Sequence, residues 1–299
     1  MPSLLSHLVP IFLRVTRANR YFMTAPAARD HLARRAKTAQ SHNPPRRLRA
    51  GTTITESSHH DWPIYTIRPA DSEVHGAVIY LHGGAWVEEI AVQHWQLAAQ
   101  LAAEAKVAVI VPIYPLVPFG TASAVNEVVV ELARSAREEY GTVSLAGDSA
   151  GGQIAISAAL ALRDEHGETV ASTVLISPAV DPSMKNPEMD VVQPRDPWLG
   201  KAGTRVFLDA WRGDIPNDDP RINPLEADLR GLGPLMIFSG TRDILNPDAR
   251  LLVARARAAG VDVDYREAPG LVHVYPLTPT PEGRAARAAI VDRLRGNRP

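Results

Sequence analysis

Apolar and polar residues alternate along this chain in blocks that have the lengths of strands and helices. Short apolar runs such as Ala77–Leu81 are typical of strands that are buried on both faces. Longer segments between them carry apolar residues three or four positions apart, which is the spacing of a helix with one buried face. The pattern predicts strands at residues 52–55, 64–68, 77–81, 107–113, 143–146, 172–176, 234–240 and 261–267, and helices at residues 95–105, 122–139, 153–160 and 249–259. This order predicts an α/β protein with a mostly parallel central sheet and helices on both faces.

Two segments fall outside this alternation. Residues 4–40 are helix-prone, and the first part of this segment has apolar residues at helical spacing, namely Leu4, Leu5, Leu8, Ile11, Phe12 and Val15. The prolines of Asn43-Pro44-Pro45 end the segment. Residues 178–224 are rich in proline, aspartate and tryptophan, and they separate two predicted strands. We therefore expect additions to the sheet domain at both places.

The composition is that of a globular protein. The chain has 299 residues, of which 45% are hydrophobic and 22% are charged, so it can bury one large core. It contains no cysteine, which excludes disulfides, thiolate metal ligands and a cysteine nucleophile. No apolar run approaches the length of a membrane span, about 20 residues. The apolar stretch 3–13 is interrupted by His7 and Pro10, so we expect no cleavable signal peptide and a cytoplasmic location.

Motifs for cofactor, metal or nucleic-acid binding are lacking. There is no phosphate-binding loop and no dinucleotide glycine fingerprint, and the pair His59-His60 has no further ligand at metal-binding spacing. We therefore predict no cofactor, no metal and no nucleic-acid partner.

The charge is unevenly distributed although the net charge is only −1. Residues 1–50 contain ten basic residues and one acidic residue, a balance of +9, whereas the remainder contains 22 basic and 32 acidic residues, a balance of −10. A basic segment with apolar residues at helical spacing predicts a weak peripheral contact with anionic lipid. A basic arm that folds back on an acidic body is the alternative interpretation.

The strongest chemical signal is the segment Gly147–Gly152, which reads Gly-Asp-Ser-Ala-Gly-Gly and fits the pattern G-x-S-x-G. It lies between the predicted strand 143–146 and the predicted helix 153–160. On such a tight strand-to-helix turn the serine points outward, and only small neighbours allow the bend. Ser149 is therefore the candidate nucleophile, and we interpret Asp148 as a residue that supports the neighbouring loops.

A second glycine motif, His-Gly-Gly-Ala-Trp at residues 82–86, directly follows a buried strand. Glycines allow backbone N–H groups to approach a ligand oxygen without a Cβ in the way. In hydrolases with such a loop, its N–H groups and that of the residue after the nucleophile bind the oxyanion. We predict Gly83, Gly84 and Ala150 as these donors, and we interpret His82 as structural.

These motifs resemble those of the hormone-sensitive-lipase family of α/β-hydrolase esterases. The resemblance rests on His82–Trp86, Pro112–Leu116, Gly147–Gly152, Thr241–Leu245 and His273. It implies the α/β-hydrolase fold and a serine esterase that needs no cofactor. It also implies a helical cap, which residues 1–45 and 183–224 match in position and length, so that residues 46–182 and 225–299 would form the catalytic domain.

The fold implied by this resemblance orders its catalytic residues as serine, carboxylate and histidine along the chain. Asp243 follows the predicted strand 234–240, at the sheet edge where α/β sites lie. Asp248 opens a predicted helix and is better interpreted as a helix N-terminal charge, so we favour Asp243. His273 is the histidine beyond the last predicted strand and is the expected base. Val274 stands where the family usually has glycine, so we expect it to narrow or redirect the acyl pocket.

Aromatic residues of the expected cap are candidates for an apolar substrate pocket. We predict that Phe12, Tyr21, Phe22, Trp198, Phe207 and Trp211 of the cap line this pocket. Trp86 and Val274, which lie outside the cap segments, are predicted to line it as well. Packing within the core of the cap is an equally good interpretation for the cap aromatics.

The predicted function is hydrolysis of short-to-medium acyl carboxylic esters through an acyl-enzyme, by a monomer or homodimer whose ligand is a small ester. Hydrolysis of lactones, amides or acetyl esters would use the same residues. A non-catalytic small-molecule-binding protein would share the fold, but the complete set of serine, aspartate and histidine favours catalysis.

Overall fold

The computed structural model describes residues 2–46 and 48–296 and contains one eight-stranded sheet. The strands are β1 (Thr52–His59), β2 (Trp62–Pro69), β3 (Ala77–Leu81), β4 (Ala108–Pro112), β5 (Val143–Asp148), β6 (Thr173–Ile176), β7 (Leu235–Arg242) and β8 (Val263–Val272). Their order across the sheet is β1-β2-β4-β3-β5-β6-β7-β8. β2 pairs antiparallel with β1 and β4, and all later pairs are parallel. The predicted α/β-hydrolase fold with its mostly parallel sheet is confirmed.

Helices cover both faces of this sheet. They are α1 (Leu4–Val15), α2 (Ala25–Arg35), α3 (Val92–Ala105), α4 (Ala122–Tyr140), α5 (Ala150–His166), α6 (Glu188–Val192), α7 (Lys201–Arg212), α8 (Asn246–Ala258) and α9 (Pro281–Gly296), with 3₁₀ turns at Gln193–Arg195 and Tyr275–Leu277. One apolar core joins α4, α5 and α8 to the sheet, and a second core joins α3 and α9 to the opposite face. Successive residues of a strand pack into the two cores alternately: Ile79 belongs to the first and Tyr80 to the second.

Three differences between the structure and the hydrophobic pattern concern whole elements or their ends. The helix-prone segment 4–40 forms two helices, because the Thr24 side chain caps α2 by accepting the Ala27 N–H. β8 continues beyond the predicted end at residue 267 and reaches Val272. The long helix α9 was not predicted, although Pro281 at its start is a frequent helix-opening residue.

The N-terminal segment and the segment between β6 and β7 contact each other. The Gly203 N–H of α7 donates a hydrogen bond of 2.8 Å to the Phe22 carbonyl. The Phe22 ring lies edge-on to Phe207, with 5.8 Å between centroids. Within the described residues, no helix has both the length and the apolar character required to cross a bilayer.

Candidate active site

Ser149 lies on a strained turn between β5 and α5. Its backbone has φ +52° and ψ −115°, which is a costly conformation for a residue with a side chain. The Ser149 N–H donates to the Ile176 carbonyl at 2.8 Å. A Cβ at Gly151 would overlap the Leu81 carbonyl, and one at Gly147 would overlap the carbonyl of Gly151. Both glycines are therefore needed for the chain to turn from strand to helix at this serine.

His273 joins Ser149 to Asp243 in one hydrogen-bonded line. The His273 Nε2 atom lies 2.9 Å from Ser149 Oγ, and His273 Nδ1 lies 2.8 Å from Asp243 Oδ2. The other carboxylate oxygen of Asp243 accepts the Leu245 N–H at 2.9 Å. Because a carboxylate only accepts, the imidazole proton is assigned to Nδ1, which leaves Nε2 to accept the serine hydroxyl proton. This is the geometry of a nucleophile, a base and the acid that orients the base.

The convergence of these three residues follows from the sheet. Ser149 directly follows β5, Asp243 directly follows β7, and His273 directly follows β8. The carboxyl ends of these parallel strands lie at one edge of the sheet, so residues 30 and 124 positions from His273 reach the same point.

The electrostatics of His273 are set by its burial and by Asp243. Both side chains are almost fully buried, with 3% of His273 and 0% of Asp243 exposed. Burial alone would lower the pKa of His273, but the negative charge of Asp243 and its hydrogen bond outweigh burial, with a further contribution from Asp196. The pKa of His273 is therefore raised above its ordinary value of 6.5.

Asp248, the alternative acid, lies in the first turn of α8. Its Oδ1 accepts a hydrogen bond of 2.9 Å from the Asn186 amide, and within the described chain it makes no hydrogen bond to His273. Burial raises the pKa of Asp248 to about 7, so this carboxyl group carries only part of a negative charge at neutral pH.

The Gly83 N–H already donates a hydrogen bond within the protein. This corrects the prediction that it is an oxyanion donor. It donates to Asp148 Oδ1 at 3.0 Å, and the Tyr80 hydroxyl donates to the same oxygen at 2.6 Å. The other oxygen of Asp148 lies 3.3 Å from His94 Nε2. A Cβ at residue 83 would overlap the Asp148 carboxylate. Glycine is thus required there for packing, and Asp148 fastens the loop after β3 to β5.

Three other N–H groups are free for an oxyanion: those of Gly84, Ala85 and Ala150. None of them has an acceptor within the described parts of the chain. Gly84 and Ala85 both have positive φ, +124° and +52°, and both line the same cavity as Ser149. Ala150 is the first residue of α5, where the helix itself supplies no acceptor. The sequence motif contained Ala85, but its spacing does not reveal which N–H groups face the cavity.

Ser149 and His273 border a cavity of about 1040 Å³, which lies at the upper end of the usual range for small-molecule sites. Its walls come from α1, α3, the turn before α7 and the segment that follows β8. The apolar part of the lining is Leu5, Leu8, Val9, Phe12, Leu13, Tyr21, Phe22, Leu48, Leu97, Trp198, Leu199, Val274 and Leu277.

Comparison with known proteins places the chain in a family. A family model described as the alpha/beta hydrolase fold matches residues 78–277, which include all residues of the hydrogen-bonded line. The chain belongs to this family. All the segments that resemble hormone-sensitive-lipase esterases lie within the matched part of the hydrolase.

Relatives of this hydrolase are ester-cleaving enzymes. An acetyl-hydrolase of Streptomyces hygroscopicus is 33% identical over 227 residues, which is 74% of this chain and 75% of that protein. An esterase of Mycobacterium tuberculosis is 31% identical over 241 residues, 76% of this chain and 79% of that protein. A crystal structure of an esterase from the bacterial hormone-sensitive lipase family has a TM-score of 0.83 and 27% identity, over 99% of both chains. The prediction of a hormone-sensitive-lipase-like enzyme that hydrolyses esters is confirmed.

Three aromatic residues predicted to line the pocket of the hydrolase lie in its core instead. The indole N–H groups of Trp86 and Trp211 both donate to Gln153 Oε1, at 3.2 and 2.9 Å, and the two rings are stacked at 6.0 Å. Phe207 is fully buried against Phe22. The polar partner of the two indoles, Gln153, lies behind the serine on α5, so these side chains hold α7 to the catalytic domain.

Other predicted pocket residues do line the cavity: Phe12, Tyr21, Phe22, Trp198 and Val274. The Trp198 ring lies edge-on to the His273 imidazole, with 5.7 Å between centroids. Asp196, which the sequence analysis missed, fixes this tryptophan. Its Oδ1 accepts the N–H groups of Trp198 and Leu199 at 2.8 and 2.9 Å, and its Oδ2 accepts that of Ile244 at 2.9 Å. The segment before α7 is thereby tied to the loop that carries Asp243.

The pair His59-His60 lies at the β1–β2 turn, and both rings contact the exposed carboxylate of Glu131. Neither histidine lines the cavity that contains Ser149.

Proposed function

We propose that this hydrolase cleaves short-to-medium acyl esters with Ser149 as nucleophile, His273 as base and Asp243 as the orienting acid. The observation that carries the proposal is the line of hydrogen bonds Asp243–His273–Ser149, whose serine end borders an apolar cavity. A nucleophile needs such a base within hydrogen-bond reach, and the base needs a third group to orient it.

The reaction starts when Ser149 Oγ attacks the ester carbonyl carbon and transfers its proton to His273 Nε2. The buried Asp243 carboxylate stabilises the resulting imidazolium. The tetrahedral intermediate collapses when the bond to the alkoxy group breaks, and His273 gives its proton to the leaving alcohol. Water then attacks the acyl-serine with the same base, which releases the carboxylic acid and restores Ser149.

The negative charge on the carbonyl oxygen needs donors that are already in place. The N–H groups of Gly84, Ala85 and Ala150 are the proposed donors, since they have no competing acceptor in the described chain. Loss of one donor of this kind typically costs about 2.7–4 kcal/mol of transition-state stabilisation.

The shape and polarity of the cavity favour an acyl chain longer than acetyl. Its walls on α1 and α3 carry Leu5, Leu8 and Leu97, and these side chains gain contacts only from a substrate that extends beyond the reacting carbon. Each buried methylene adds about 0.8 kcal/mol of binding free energy. We therefore expect the specificity to peak at butyryl to octanoyl esters.

Hydrolysis of acetyl esters is the second candidate, because the acetyl-hydrolase of Streptomyces hygroscopicus is 33% identical to this chain. Such an enzyme would use the same nucleophile and leave the apolar cavity to the alcohol part of the ester. The two candidates differ in which half of the substrate the cavity recognises.

The test is hydrolysis of p-nitrophenyl esters from acetate to palmitate by the wild-type enzyme, Ser149→Ala and the matched control Ser135→Ala on the exposed surface of α4. We expect a maximum at butyrate to octanoate, loss of activity in Ser149→Ala, and no change in Ser135→Ala. A maximum at acetate would favour the second candidate. Activity of Ser149→Ala near that of the wild type would refute the mechanism.

A further inference from the structure

Helix α1 presents two opposite faces. Ser6, Pro10 and Leu13 are buried against the body of the enzyme. The other face exposes large apolar side chains, each between 50% and 85% accessible: Leu4, Leu5, Leu8, Ile11, Phe12 and Val15. At about 100° per residue these six positions fall within an arc of about 120°. A contiguous apolar surface of this kind marks an interaction site, unlike single exposed apolar residues.

This exposed arc is continuous with the substrate cavity. Leu5, Leu8 and Phe12 belong to both, because they are exposed to solvent and also line the cavity that contains Ser149. Leu4, Ile11 and Val15 belong to the arc alone. The cavity therefore adjoins the exposed apolar arc of α1.

Basic residues lie at the C-terminal end of the arc. Arg14, Arg17 and Arg20 are exposed, and in the described chain none of them has a carboxylate within ion-pair distance. The first acidic residue of the chain is Asp30. Arg242 lies close to this group, since its pKa is lowered by burial and then by the positive charge of Arg14. The rim of the apolar arc is thus positively charged at the C-terminal end of α1.

We propose that the exposed face of α1 docks on an anionic lipid surface and that esters dissolved in this surface pass from it into the cavity. An apolar helix face with a basic rim is the pattern of helices that lie in a membrane interface. The docking step stands on the exposed face and its charges alone, whereas the transfer of esters rests on the proposed function.

The charges favour lipid over a second copy of the chain as the occupant. A symmetric dimer with parallel α1 helices would place the two arginine groups side by side, which opposes like charges. With antiparallel helices, each arginine group would lie beside the positive N-terminal end of the partner helix, which also repels it. Anionic headgroups instead complement the rim while the acyl region accepts the apolar arc.

The test is co-sedimentation of the full chain with vesicles of phosphatidylcholine, alone or mixed with phosphatidylglycerol, at low and high NaCl concentration. We expect binding to the mixed vesicles that is weaker at high salt and weaker still without phosphatidylglycerol. The triple variant Leu4→Gln, Ile11→Gln and Val15→Gln should bind about tenfold more weakly. The control variant Ile54→Gln, Phe119→Gln and Leu251→Gln changes exposed apolar residues of other elements and should bind like the wild type.

Activity measurements test the docking separately from the proposed reaction. The α1 triple variant should keep its kcat/KM for dissolved p-nitrophenyl butyrate, because the three residues do not line the cavity, and should lose about tenfold in rate on an ester dispersed in mixed vesicles. A wild type that binds vesicles but hydrolyses no ester would refute the proposed function and leave the docking intact.

The docking proposal is overturned if the wild type stays in the supernatant at low salt. It is equally overturned if the triple variant sediments like the wild type, or if light scattering shows a dimer that the triple variant dissociates.

Discussion

The two sides of the substrate cavity are built in opposite ways. On one side, Ser149 and His273 are held by three parallel strands and joined by hydrogen bonds of 2.8 and 2.9 Å that also include Asp243. On the other side, α1 exposes one face along its whole length and is attached through a few buried residues such as Pro10 and Leu13. The catalytic groups are therefore fixed by hydrogen bonds between strand ends, whereas this wall of the cavity is held by few buried residues and should open at a lower cost in free energy. Substitutions in the two regions should change different kinetic parameters.

After Ser149→Ala, the largest effect is expected from Asp243→Asn. The amide cannot hold the imidazole in the reactive tautomer or stabilise its charged form, so kcat should fall by about 10³–10⁴-fold with little change in KM. Asp248→Asn is the matched control, because it removes a buried carboxylate of the neighbouring helix that has no hydrogen bond to His273 among the described residues. Steady-state kinetics of both variants on p-nitrophenyl butyrate provide the measurement. Equal losses in the two variants would contradict the assignment of Asp243.

A smaller effect concerns the pH profile. His273 must be neutral to accept the serine proton, and its pKa is raised by Asp243, so kcat/KM should rise with pH through a midpoint above 6.5 and be lost below it. Asp196 also raises the pKa of His273, and the pKa of Asp196 itself is raised to about 6 by burial and then by the charge of Asp243.

Asp196→Asn should therefore shift the midpoint of kcat/KM downward. The exposed carboxylate of Asp190, paired with Lys201, supplies the control variant Asp190→Asn, whose profile should match that of the wild type. An upward shift in Asp196→Asn would show that the main role of Asp196 is to position Trp198. Loss of the contact between Trp198 and His273 would then change the pKa of His273 more than loss of the negative charge does.

The central strands of the sheet were predictable because they are continuous apolar runs, and β8 was predictable from its alternation of apolar and polar residues. The chain order of Ser149, Asp243 and His273 came from the resemblance to hormone-sensitive-lipase esterases, and each residue was then located by its place after a predicted strand. The cap was harder. The residues Thr204, Phe207, Leu208 and Trp211 of α7 have helical spacing, but prolines and aspartates on both sides obscured it.

The functions of single groups within the motifs were not predictable from spacing. Gly83 and Gly84 are adjacent and chemically identical, yet only tertiary structure shows that the Gly83 N–H donates to Asp148 while that of Gly84 has no acceptor among the described residues. Likewise, Trp198 and Trp211 were equivalent as aromatic residues of the cap. Gln153 determines that Trp211 is buried in the core, and Asp196 determines that Trp198 reaches the site.

The smallest effect is expected from Glu282→Gln. This substitution is also the sharpest test of how α1 is attached to the rest of the enzyme. The carboxylate of Glu282 accepts hydrogen bonds from the hydroxyl groups of Ser3 and Ser6, at 2.8 and 2.7 Å, and from the Ser3 N–H. Burial alone would raise the pKa of Glu282, but these hydrogen bonds lower it to about 2, so the attachment persists at every pH at which His273 is active.

Glutamine can accept only part of this set of hydrogen bonds, so the start of α1 should open more often while the sheet is unaffected. We expect global stability to fall by less than about 1 kcal/mol, and hydrogen exchange in residues 4–15 to accelerate by about fivefold. KM for p-nitrophenyl octanoate should rise more than KM for the acetate, because only the longer chain reaches Leu5 and Leu8. Glu226→Gln breaks an exposed ion pair with Arg255 and should alter neither quantity. Unchanged exchange in Glu282→Gln would mean that the buried side chains of α1, rather than its first turn, hold this wall of the cavity in place.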